Sequence, residues 1–120
     1  MTPREVFQKL SAGIGSGDWS SLHLLYADDA EVEMPFLPAR LQGREQVREH
    51  FAQHAGGIVL EPRDVRIYNT DDPEVVVAEW KYDIRGRLVA NIQVLRVRDG
   101  LIVETRDYHD HRQIAEILRG

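Results

Sequence analysis

Residues 87–111, "RLVANIQVLRVRDGLIVETRDYHDH", read as two long antiparallel strands, Arg87–Arg98 and Leu101–Asp110, joined at Asp99-Gly100. Gly100 supplies the positive φ that a tight hairpin needs. Side chains alternate between the two faces of a strand. The first strand therefore carries Asn91, Gln93 and Leu95 on one face and Ala90, Ile92 and Val94 on the other. The second carries Arg106, Tyr108 and Asp110 on one face and Thr105, Asp107 and His109 on the other. An amide pair beside a Tyr-x-Asp is unusual decoration for a plain core sheet. If the face of Asn91 and Gln93 coincides with that of Tyr108 and Asp110 and points inward, the two make a polar floor. That floor is the expected working part of the molecule.

Upstream of the hairpin, "TPREVFQKLSAGI" reads as a helix. Thr2 is its N-cap, Pro3 suits the first helical position, and Glu5 completes a capping box. Val6, Phe7, Leu10 and Ile14 form its apolar stripe, and the glycines at 13, 15 and 17 end it. Asp18 is expected to cap a second helix, "WSSLHLLYADD", with Trp19, Leu22, Leu25 and Tyr26 on the buried side. "AEVEMPF" is a short strand ended by Pro35, and "LPARLQG" reads as a loop. A third helix, Arg44 to Ala55, carries Val47, His50, Phe51, His54 and Ala55 on one stripe and stops at Gly56-Gly57. "IVLEPRDVRIYNT" is a strand with a break near Pro62. Glu74–Ile84 is another, with Val76, Ala78, Trp80 and Tyr82 on one face and Val75, Val77, Glu79 and Lys81 on the other. "RQIAEILRG" is a short closing helix. This order predicts an α+β fold, with a curved antiparallel sheet wrapped around the N-terminal helices and an internal pocket. One domain is expected across residues 1–120.

The balance of charge narrows the function. A net charge of −5 and a pI near 5.5 argue against nucleic acid or an anionic membrane as partner, since both need a basic face. The chain has no cysteine, which excludes thiol nucleophiles, disulfides and cysteine-ligated zinc. No apolar run reaches membrane-spanning length and "MTPREVFQKL" has no signal-peptide core, so a cytoplasmic protein is expected.

The element order, with "LLYADDAEVEMPF", "LQGREQVREHF" and "RVRDGLIVETRDYHD", resembles the NTF2-like superfamily, and within it the SnoaL-like group. The resemblance covers nearly the whole chain. It implies a conical fold, a deep pocket opening at the wide end, and in many members a dimer through the outer sheet face. Three enzyme types of that superfamily can be compared residue by residue. The ketosteroid isomerase base falls on Met34 in "VEMPF", and its oxyanion donors fall on Leu10 and Gln93. The limonene epoxide hydrolase residues fall on Glu31, Glu33, Asn91 and Gln93, with its terminal aspartate on Asp110. A SnoaL-type polyketide cyclase needs only one acid to remove a proton alpha to a carbonyl, with hydrogen-bond donors for the enolate. Asp110 can fill the first role and Gln93 or Asn91 the second.

The catalytic candidates are thus Asp110, Gln93, Asn91 and Glu33. Each has a second reading. Asp110 can cap the helix that follows it. Asn91 and Gln93 can belong to a structural hydrogen-bond network, because a buried amide needs partners. Glu31 and Glu33 share a face opposite Val32 and Met34, and either pair can be the inward one. His50 and His54 have metal-ligand spacing, but "HFAQH" lacks the His-Glu start of a zinc-protease helix, so they read as lining the pocket beside Phe51 or sitting at the helix edge, and no metal and no cofactor is expected. His109 and His111 flank Asp110 and read as surface residues. Tyr26, Met34, Phe36, Phe51, His54, Trp80, Tyr82 and Tyr108 are the expected lining of an apolar pocket for a small molecule. The expected function is a cofactor-free acid–base enzyme, a cyclase or isomerase acting on a small apolar carbonyl or polyketide-like compound. A non-catalytic small-molecule binding module and an epoxide hydrolase-like activity are the alternatives. Val75, Val77, Ile92 and Val94, apolar on the faces away from the pocket, predict a homodimer through the outer sheet.

Overall fold

The computed structural model describes residues 1–54 and 60–119. Helix α1 runs from Pro3 to Ser16. Its N-terminus carries the expected capping box: Thr2 Oγ1 accepts from the Glu5 backbone N–H, and Glu5 accepts from the Thr2 N–H. Gly17 ends the helix at φ 81°, a left-handed value that an L side chain resists.

The second helix is replaced by one 3₁₀ turn, Leu22–Leu25. Asp18 does accept from the backbone and hydroxyl of Ser20, so its capping chemistry is local. The chain then turns extended at Tyr26, because "YADD" already belongs to strand β1, Tyr26–Met34. The expected loop contains strand β2, Ala39–Gln42, a four-residue edge strand paired antiparallel to β1. Helix α2 covers Arg44–His54; its expected last residue Ala55 and the glycines after it lie outside the described residues. Strands β3 (Glu61–Asn69), β4 (Val75–Ile84), β5 (Arg87–Arg98) and β6 (Leu101–His109) follow, then helix α3, His111–Arg119. β3 is broken between Arg63 and Arg66, with Asp64 at φ 53°.

The six strands lie in the order β2-β1-β6-β5-β4-β3. The sheet is mixed rather than wholly antiparallel, because β1 runs parallel to β6. The whole stretch from β2 through α2 to β5 separates the two strands, a long connection that a parallel pair needs and a hairpin cannot supply. The α+β cone with a curved sheet around helix α1 is otherwise as expected.

The inner face is set by β4 and β5. Val76, Ala78, Trp80, Tyr82 and Ile84 are buried on β4, and Val89, Asn91, Gln93, Leu95 and Val97 on β5. α1 lays Val6, Phe7 and Leu10 on this face, with the Phe7 and Trp80 rings 5.3 Å apart. Trp80 meets Tyr82 edge-on at 5.5 Å, so the aromatic column continues from the core toward the open end.

Candidate functional site

Strand pairing builds the floor of the site. Arg98 lies opposite Leu101 and Val97 opposite Ile102, but Arg96 lies opposite Glu104. Val103 is therefore an extra residue, and the bulge flips the parity of β6 against β5. Gln93 pairs with Asp107 and Asn91 with His109. Partners in a pair share a face, so the inward residues of β6 are Thr105, Asp107 and His109.

This corrects the expected floor. Tyr108 is on the other face, opposite Ile92, and its ring packs on Phe36 at 5.6 Å. Phe36 itself is 69% exposed. Neither lines the cavity. Asp110 is exposed, and its Oδ1 accepts from the backbone N–H of Gln113 at 3.0 Å, the geometry of an N-cap on α3. Its expected place at the pocket wall is not found. Glu33 is half-buried, beside Arg40 and Arg106 in register, and does not line the cavity, whereas Val32 and Met34 do.

The cavity has a volume of about 360 Å³ and lies between the sheet, α2 and α3. Tyr26, Met34, Phe51, His54, Tyr82 and Gln93 line it. Asn91 is buried on the floor without lining the cavity. Trp80 lines a crevice of about 20 Å³ behind it, together with Ser11, Tyr82, Gln93 and Asp107. Four consecutive strands contribute: Tyr26 from β1, Asp107 from β6, Gln93 from β5 and Tyr82 from β4. Ala78, opposite Gln93, is the smallest inner side chain of β4 and leaves room there.

The polar groups of this floor are under-satisfied. Gln93 Oε1, Thr105 Oγ1, Asp107 Oδ1, His109 Nδ1 and His111 Nε2 are buried without a hydrogen-bond partner among the described residues. So are both amide atoms of Asn91 and the Trp80 indole N–H. His109 Nδ1 stands 3.4 Å from Asp107 Oδ1, an ion-pair distance short of a good hydrogen bond. A buried polar atom left without a partner costs about 1–3 kcal/mol, so such a cluster calls for water or a ligand to complete it.

Burial pushes both phenols up. The Tyr26 hydroxyl is raised by desolvation and then by the Asp107 charge. The Tyr82 hydroxyl is raised by the same two causes. Both remain protonated at neutral pH and can only offer an O–H or a neutral oxygen. Burial also lowers His50 and His111, and the neighbouring imidazoles of His54 and His109 respectively add to it. Among the described residues no group of three or more His, Asp or Glu is arranged to hold a metal ion.

Asp107, His109, His111 and Thr105 are the cavity-lining residues that the sequence reading misplaced or passed over. The available signal was the adjacent apolar pair Ile102-Val103, which breaks strict alternation just after the turn.

An α+β cone with one deep, aromatic-walled cavity is the architecture of NTF2-like proteins. The chain belongs to the SnoaL-like domain family, whose model matches residues 7–105. It is 28% identical to a PhzA/B-like protein of Pseudomonas aeruginosa, over all of this chain and 92% of that one. A candidate isomerase from Bacillus subtilis superposes with a TM-score of 0.88 at 26% identity, covering 98% of this chain and 93% of that one. A candidate polyketide cyclase from Xanthomonas campestris superposes with a TM-score of 0.80 at 18% identity, over 97% and 96%, a likeness of fold alone. No described helix is long and apolar enough to cross a membrane.

Proposed function

We propose that this protein is a cofactor-free acid–base enzyme of cyclase or isomerase type, acting on a small, largely apolar carbonyl or polyketide-like compound held in the cavity. One observation carries the reading: Asp107 is the only acidic side chain among the described lining residues, and Tyr26, Tyr82 and Gln93 stand around it. Asp107 takes the proton alpha to the carbonyl. The electron pair of that C–H bond moves onto the carbonyl oxygen, and the enolate accepts hydrogen bonds from the neutral phenols and from the Gln93 amide. His109, beside Asp107, stabilises the carboxylic acid once it has formed and hands the proton on to the product. Apolar walls exclude water and strengthen these contacts.

The test is deuterium exchange into 2-tetralone, a planar ketone with acidic alpha hydrogens, followed by NMR. Exchange above the buffer rate in the wild type, lost in Asp107→Asn, supports the proposal. Saturable binding of ketones without exchange makes the protein a binding module.

The outer face of the sheet fits a second copy of the chain. Ile92 is 44% exposed and Leu88 51% exposed, and Val75, Val77 and Val94 are only half-buried beside them. A two-fold dimer covers such a self-complementary strip.

A further inference from the structure

Four of the five histidines of the chain line the same cavity: His50 and His54 from α2, His109 from β6 and His111 from α3. They come in two close, tilted pairs. The His50 and His54 rings are 4.4 Å apart, and the His109 and His111 rings 3.8 Å. The proposed acid–base chemistry uses at most one of them. A structural role accounts for His54, whose Nδ1 meets the His50 carbonyl oxygen at 3.0 Å, but not for His109 Nδ1 and His111 Nε2, which are buried without a hydrogen-bond partner among the described residues. A metal is not indicated, since no group of three or more ligating side chains converges among the described residues.

We propose that the imidazole cluster binds the anionic end of the ligand, so that the compound taken up is a largely apolar carboxylate or comparably small oxyanion. This rests on the cavity being the working site, as argued above, and adds the chemical class of what enters it. The rest of the lining fits the same class. Leu41, Val47, Phe51, Ile114 and Leu118 give an apolar wall for the body of the molecule. No lysine or arginine occurs among the described lining residues, so histidine is the only available cation.

The charged and titratable groups facing the cluster come from every neighbouring element. They are Asp107 on β6, Tyr26 on β1, Tyr82 on β4, and the histidines of α2, β6 and α3, with Asp110 at the α3 cap near His111. The Tyr phenols are neutral, leaving two carboxylates, of which only Asp107 lines the cavity, against four imidazoles. Without ligand, burial and mutual repulsion hold His50 and His111 below their ordinary range. An anion reverses both effects, so its binding draws a proton onto the cluster.

The probes are 2-naphthoate and its neutral isostere 2-naphthamide, titrated calorimetrically at pH 7 in Bis-Tris and in Tris, two amine buffers that offer no competing oxyanion. 2-Naphthoate has no hydrogen acidic enough for the proposed chemistry, so the outcome is independent of whether Asp107 is a base. The expected result is binding of 2-naphthoate at least about tenfold tighter than 2-naphthamide, a factor resolvable as about 1.4 kcal/mol. Its heat should differ between buffers by an amount showing proton uptake, and its affinity should fall from pH 6 to pH 8. His50→Gln/His111→Gln should remove the preference and leave 2-naphthamide binding in place. Equal affinity for the two probes, no binding of 2-naphthoate, or binding without proton uptake overturns the proposal.

Discussion

Asp107 and His109, two residues apart on strand β6, point into the same cavity with Oδ1 and Nδ1 3.4 Å apart. A β-strand returns to the same face every second residue, so this juxtaposition is inherent in the backbone. What the tertiary structure adds is the direction of that face. The extra residue Val103 turns it inward, beneath the phenols of Tyr26 and Tyr82 and opposite Gln93.

Asp107→Asn keeps the shape of the side chain and removes the base. Turnover should fall by about 10²–10⁴-fold, the span for losing a general base. Melting temperature should change little. Deuterium exchange into 2-tetralone checks the first expectation and a thermal melt the second. Retention of full exchange would place the base elsewhere.

Asp110 separates capping from catalysis. Asp110→Asn should leave both exchange and melting temperature near wild type, because Asn caps a helix about as well as Asp. Asp110→Ala removes the acceptor for the Gln113 N–H and should cost about 1 kcal/mol, a fall of a few degrees in melting temperature. A large loss of exchange in Asp110→Asn would return this residue to the catalytic list.

The fold was legible because its signals are local. Thr2 and Glu5 spell a capping box, and Asp99-Gly100 demands a hairpin, with Asp99 at φ 53° and Gly100 at φ 78°. The inward face of β4 was legible as well, since Val76, Ala78, Trp80 and Tyr82 alternate without a break. The site was less so. One inserted residue moves every later side chain of β6 to the opposite face, and Val103 is an ordinary strand residue in every local respect. That single shift put Tyr108 and Asp110 in place of Asp107 and His109. β2 was invisible for another reason: four residues on an edge owe their extended form to pairing with β1 rather than to their own propensity.

Association through the outer sheet face can be read from mass. Light scattering at micromolar concentration should give twice the 13.8 kDa of one chain. Ile92→Glu, which places charge at the centre of the apolar strip, should give the single-chain mass. It should leave the cavity intact, because Ile92 faces away from Asn91 and Gln93. A monomeric wild type would refute the dimer.

Stability should depend on pH through His50 and His111. Burial lowers both, by desolvation first and by the neighbouring imidazole second, while Asp107 pulls the other way. In the unfolded chain each titrates near its ordinary value of about 6.5. As pH falls through that value the unfolded state takes up protons before the folded state does. Stability therefore rises with pH across this window, is fully present above about 6.5, and is lost as pH drops through the lowered folded values. The depressed carboxylates Asp72 and Glu74, held down by Arg96, Arg98 and a backbone N–H, act in the same direction but only at more acid pH. The range from pH 7 to pH 5 consequently isolates the histidines. Melting temperature should decline across it in the wild type, and His50→Gln/His111→Gln should flatten the decline while leaving the fall below pH 4.5 unchanged. A double variant with the wild-type slope would assign the dependence to other groups and leave these two imidazoles electrostatically unperturbed by the cavity.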